Sequence, residues 1–157
     1  MLTCDKDVFR GVDFVRQNPM LVIDVDKSEI NRGNVMDIRS FWNDVLRQNR
    51  DALPTYFDEK AVICWHCTNE QFTVSEYVRA NCDYPGNWDG EIERIETIGD
   101  TIISAVHVFT IDKIASFHVV SFMKLKDGLI CNMDEYWSDD ANAPDWRRKM
   151  NIGRPIS

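Results

Sequence analysis

No stretch of this 157-residue chain is apolar for long enough to span a bilayer, which takes about 20 consecutive apolar residues. The opening residues, MLTCDKDVFRGVDFVRQNP, also lack the unbroken apolar core of a secretory signal, because Asp5, Asp7 and Asp13 interrupt it. Both absences predict a cytoplasmic protein with no membrane partner. Basic charge is short as well: 18 Lys and Arg against 26 Asp and Glu leave a net charge of -8. That balance excludes the broad cationic surface on which nucleic-acid affinity is built, so no nucleic-acid partner is expected. Cysteine is too sparse for a disulfide scaffold, and its odd count of five fits reduced thiols. Repeats and low-complexity tracts are missing too.

What is present is an ordinary core-forming composition, with 44% hydrophobic and 28% charged residues, enough for one compact domain. Residues 1–33 are the least regular part, and we read them as an N-terminal arm or added element before a domain over 34–157. From Val35 the apolar residues Val35, Ile38, Phe41, Trp42, Val45 and Leu46 recur at helical spacing. A short second helix is expected over 51–57, leading into the strand AVICW. Thr73 and Glu76 form a capping-box pattern that opens a third helix over 74–83, ended by Pro85-Gly86.

Beyond this point the period changes from helical to two. EIERIETI, TIISAVHVFTI, IASFHVVSFMKL and LICNMDEYW alternate as strands, separated by Gly99-Asp100, Asp112-Lys113 and Asp127-Gly128. Helices followed by an antiparallel meander predict an α+β architecture with helices packed on one sheet face. A polar tail after Trp137 completes the domain.

The CWHC stretch at 64–67 invites a metal or redox reading. A structural zinc site needs four converging ligands, whereas alternation along a strand sends Cys64 and His66 to one face and Trp65 and Cys67 to the other. Redox pairs sit at helix N-termini, which this one does not. The cysteines are therefore read as small hydrophobes, and no metal is assigned.

Two-residue hairpin loops would fix the strand registers. They set His107 opposite His118, His118 opposite Trp137, Val120 opposite Glu135 and Ala105 opposite Arg94. One face then holds His107, His118, Glu135, Arg94 and Glu96 among Phe109, Phe122, Met133 and Trp137. A histidine oriented by a carboxylate in an apolar cavity is the apparatus of general acid/base catalysis, here His118 with Glu135. Asp134 replaces Glu135 if a single bulge shifts the last strand. Trp65, Tyr77 and Trp137 supply aromatic walls for a ligand, Asn81 an inward amide, and Arg94 a charge on the same face. The largely apolar second face calls for a cover, such as a second copy of the chain.

The helix IRSFWNDVL, the stretch TNEQFTVSEYVRANCDYPGNWDG, the strand SFHVVSF and the ending DEYWSDDANAPDWR resemble the nuclear transport factor 2-like superfamily, in its SnoaL-like branch. This branch also looks like the ketosteroid isomerases in architecture. The resemblance covers about four-fifths of the chain. It implies a cystatin-like cone of curved antiparallel sheet wrapped around about three helices, with a pocket between them and a homodimer through the outer sheet face. It further implies a small apolar molecule in the cone, isomerised, cyclised or dehydrated by acid/base chemistry without metal or organic cofactor, or simply bound; the alternative is a dimeric interaction domain. His118, with Asp134 or Glu135, occupies the matching strand positions, and His107 or Tyr77 would stabilise an oxyanion.

Overall fold

A computed structural model describes residues 36–156. The expected arm over 1–33, and Val35, lie outside the described residues. Helix α1 spans Ile38–Leu46 and starts where Asp37 accepts hydrogen bonds from the backbone N–H of Arg39 and Ser40. It buries Ile38, Phe41, Trp42 and Val45, the face expected from their spacing. Just past its end Gln48 takes a left-handed φ of 53°, turning the chain out of the helix. The second expected helix is only one 3-10 turn, Leu53–Tyr56, with Pro54 in its first positions. Its shortness has a plain cause: β1 starts at once, spanning Phe57–Trp65.

A three-residue strand β2, Glu70–Phe72, precedes α2, Val74–Cys82. The Thr73–Glu76 capping box at the start of α2 is formed in both directions. The meander follows as β3 Trp88–Ile98, β4 Thr101–Thr110, β5 Ser116–Lys126 and β6 Leu129–Asp139. A short helix α3, Asp145–Arg148, lies in the exposed tail.

The six strands form one sheet in the order β2-β1-β6-β5-β4-β3. The meander is antiparallel as expected, but β1 joins its last strand in parallel, with Ile63 opposite Met133. The sheet is therefore mixed, and curved α+β architecture is retained. Its inner face supplies Val106, Val108, Val119, Met123 and Met133, which meet Phe41, Trp42, Tyr77 and Val78 from α1 and α2 in one core. Trp42 spans the layers by donating its indole N–H to the buried Ser104 hydroxyl at 3.0 Å. No helix among the described residues is long and apolar enough to cross a membrane.

The β4–β5 register is the expected one, with His107 opposite His118. On the far side of β5 the expectation fails. Asp127 and Gly128 do make a tight turn with positive φ at both residues, and Lys126 pairs with Leu129 as counted. Between Lys124 and Leu125 the register then shifts, so Ser121 faces Glu135, Phe122 faces Asp134 and His118 faces Ser138. One inserted residue sends every later β6 side chain to the opposite face.

Candidate functional site

That slip decides where the chemistry sits. Glu135, Met133 and Trp137 join the inner face, while His107 and His118 stay outside, so the expected His118–Glu135 pair does not form. Asp134 is the β6 carboxylate on the outer face, where it accepts from His66 Nε2 at 2.7 Å rather than meeting His118. His66 in turn stacks on Tyr136 at 4.6 Å between ring centroids.

Glu135 is fully buried. Its Oε1 accepts from the Ser121 hydroxyl at 2.7 Å, and its Oε2 accepts from the indole N–H groups of Trp65 at 2.7 Å and Trp137 at 3.2 Å. Burial pushes its pKa up, against the pull of these three donors toward the charged form. Tyr77, fully buried on α2, has its own pKa pushed well up by burial and by the nearby Glu135. Its hydroxyl has no partner in hydrogen-bond geometry.

The two indoles held by Glu135 form part of the wall of a cavity of about 420 Å3. Leu46, Trp88, Val108 and Phe117 are among its other apolar lining residues, and Asn81, Ser138 and Asp139 among its polar ones. The Trp88 indole N–H is buried without a partner, an arrangement that costs free energy. Gln48 closes one side: its amide donates to the carbonyls of Asn81 at 2.9 Å and Tyr84 at 2.7 Å, tying the end of α1 to the end of α2.

Of the nine side chains expected to form the site, Trp65, Asn81 and Trp137 line this cavity. Glu135 stands behind two of them and Tyr77 is packed into the core. Arg94 is exposed and paired with Glu96 at 2.9 Å, outside the cavity. His107 and His118 lie on the outer face, their rings stacked at 4.6 Å, with Asp140 beside them. The hydrogen bond to Asp140 holds the His118 pKa above the usual imidazole value. CWHC divides as expected, although β1 ends at Trp65 and the next two residues are in a turn: Trp65 and Cys67 line the cavity, and His66 faces out to Asp134.

Sequence reasoning did not single out Trp88, and left Asp139 and Asp140 in the polar tail after Trp137. The signal for Trp88 was local: it heads β3 two residues after Gly86, in phase with Gly90 and Ile92, which pair with the inner-face residues Val108 and Val106. For Asp140 no signal existed, since its place depends on the shifted register.

No protein-family model and no curated relative matches the sequence. Solved structures do. A provisional ketosteroid isomerase from Kribbella flavida is 21% identical with a TM-score of 0.63, over 76% of this chain and 87% of its own. An NTF-2 like protein of unknown function from Burkholderia xenovorans is 21% identical at a TM-score of 0.62, over 76% of this chain and 91% of its own. A provisional SnoaL-like polyketide cyclase from Shewanella putrefaciens is 10% identical at a TM-score of 0.53, over 71% and 79% respectively. The likeness establishes the fold: this chain has the NTF2-like cone that ketosteroid isomerase-like and SnoaL-like proteins share.

Proposed function

We propose that this NTF2-like cone binds a small, largely apolar molecule that carries one hydrogen-bond-accepting group, such as a carbonyl. A largely aromatic and aliphatic wall, interrupted by the Asn81 side chain, carries the reading. A cavity of about 420 Å3 suits a molecule of a few fused or linked rings. Apolar contact supplies the affinity, and the Asn81 amide selects an acceptor.

Glu135 is a positioning residue in this reading: it fixes Trp65 and Trp137, and both its oxygens are already used. A proton transfer by His118, His107 or Asp134 finds no support in a cavity contact, because none of the three lines the wall. Binding is therefore favoured over acid/base turnover. We also propose that two copies pair through the outer face, where Val120, Phe122 and Tyr136 are 37%, 39% and 45% exposed on adjacent strands.

The test is tryptophan fluorescence of the full chain, since three of its five tryptophans line the cavity. Polycyclic ketones are titrated beside hydrocarbons of the same shape. Saturable binding with the ketone preferred, lost when Val108→Trp fills the cavity, is expected. Absence of saturation, or equal binding by Val108→Trp, overturns the reading.

A further inference from the structure

His107, His118 and Asp140 bring three metal-ligating atoms within 4.8 Å of one another on the outer face, far from any use in the proposed binding cavity. The residues come from three places in the sequence. His107 on β4 and His118 on β5 are register partners, so their side chains project side by side; the rings stack with planes 7° apart, and one imidazole must turn for both nitrogens to face a single cation. Asp140 follows β6, and its backbone N–H donates to the Ser116 carbonyl at 3.0 Å, which lays its carboxylate over the start of β5. There Oδ1 is 2.5 Å from His118 Nδ1 and Oδ2 is 3.4 Å from His107 Nε2.

We infer that His107 Nε2, His118 Nδ1 and the Asp140 carboxylate form a binding site for a first-row divalent cation, with Zn2+ the best fit. In a tetrahedral zinc site, bonds of about 2.0–2.1 Å place ligand atoms roughly 3.3 Å apart. The His107–Asp140 separation already matches that spacing, and the His118–Asp140 contact opens to it by less than about 1 Å. Both histidines and Asp140 have solvent-facing freedom to make that shift, at 31%, 47% and 32% side-chain exposure.

Donor chemistry narrows the cation. Two imidazoles with one carboxylate suit zinc and its neighbours, while Ca2+ and Mg2+ prefer sets made wholly of oxygen. The surroundings supply the support that metal-bound histidines require. His118 Nε2 lies 3.5 Å from Glu93 Oε1, so when Nδ1 holds the cation the opposite N–H has a carboxylate to receive it. The Ser116 hydroxyl, 2.8 Å from His107 Nε2, already donates to the Asp140 carboxylate and keeps bracing it once the imidazole nitrogen is taken. Glu91, opposite His107 on β3, adds negative charge to the same face. Solvent completes the set.

Isothermal titration of the full, chelator-stripped chain with Zn2+ tests this, with a repeat in Co2+ for its visible spectrum. One zinc per chain is expected, with His107→Ala and Asp140→Ala each weakening it at least tenfold and Glu93→Gln weakening it less. The Co2+ form should give the absorption of a tetrahedral nitrogen and oxygen site without thiolate charge transfer. Full-affinity zinc in a folded His107→Ala, His118→Ala double variant overturns the assignment. So does a site lost in Cys64→Ser, Cys67→Ser while His107→Ala keeps it, and so does a natural chain that takes up no zinc at tens of micromolar.

Discussion

Ser121 and Glu135 stand directly opposite each other on β5 and β6, and the Ser121 hydroxyl donates to Glu135 Oε1 at 2.7 Å in a fully buried setting. Through its other oxygen the same carboxylate holds the indoles of Trp65 and Trp137, so one residue joins the sheet to the cavity wall.

Glutamine can replace this carboxylate almost without loss. Its amide oxygen accepts from both indoles while its NH2 donates to Ser121, whose hydroxyl turns to accept. Glu135→Ala offers no such exchange and strands both indole donors beside a new void. We expect a loss of about 2–4 kcal/mol in urea unfolding for Glu135→Ala, and under about 1 kcal/mol for Glu135→Gln at acid pH.

The same pair of variants exposes a pH dependence. Burial raises the Glu135 pKa, so the folded chain keeps its proton at pH values where the unfolded chain has lost it. The stability this confers is full below the ordinary glutamate range and is lost as pH rises through the raised folded value. Glu135→Gln has no proton to lose. Its stability relative to the natural chain should therefore climb with pH across that window, in urea unfolding curves taken from pH 4 to 8.

Asn81→Leu removes the amide from the cavity wall but keeps its bulk. Affinity for a bound ketone should fall up to about tenfold, while a hydrocarbon of the same outline binds at least as well. Equal losses for both ligands would mean that Asn81 contributes shape alone.

Two further substitutions probe the frame around the cavity. Ser104→Ala leaves the buried Trp42 N–H without its acceptor and should cost about 1–3 kcal/mol. Gly90→Ala places a Cβ 2.7 Å from the His107 carbonyl oxygen and 3.0 Å from Leu46, against backbone that cannot move aside. A loss of about 1–3 kcal/mol is expected, read as a lower denaturation midpoint with an unchanged denaturant slope.

Pairing through the outer face predicts a concentration-dependent mass in light scattering. Phe122→Lys puts a charge at the centre of the exposed patch and should shift the chain to monomer at micromolar concentration without changing its circular dichroism. An unchanged mass would remove the outer face as the contact.

Helices α1 and α2 and the β4–β5 register were legible in the sequence because each has a local cause. The apolar spacing of Phe41, Trp42 and Val45 allows one helical face, the Thr73–Glu76 box fixes a start, and a short loop after Thr110 fixes a count. The inner identity of Glu135 was not legible. The shift beside Lys124 carries no turn residue to announce it, and both faces of β5 are apolar, with Phe117 and Val119 on one and Val120 and Phe122 on the other. Hydrophobic alternation therefore could not correct the count. The parallel β1–β6 pair was equally hidden, since nothing in AVICW names a partner so distant along the chain.

That parallel pair has a consequence in time. Trp65 and Glu135 are 70 residues apart, so β1 leaves the ribosome long before the strand it must lie against. Until β6 follows, β1 has only the three residues of β2 beside it in the sheet, whereas each meander hairpin can zip as soon as its own turn emerges. Trp65 and Trp137 meet across this late seam. The wall of the cavity is thus among the last parts of the molecule to close, after synthesis has passed β6.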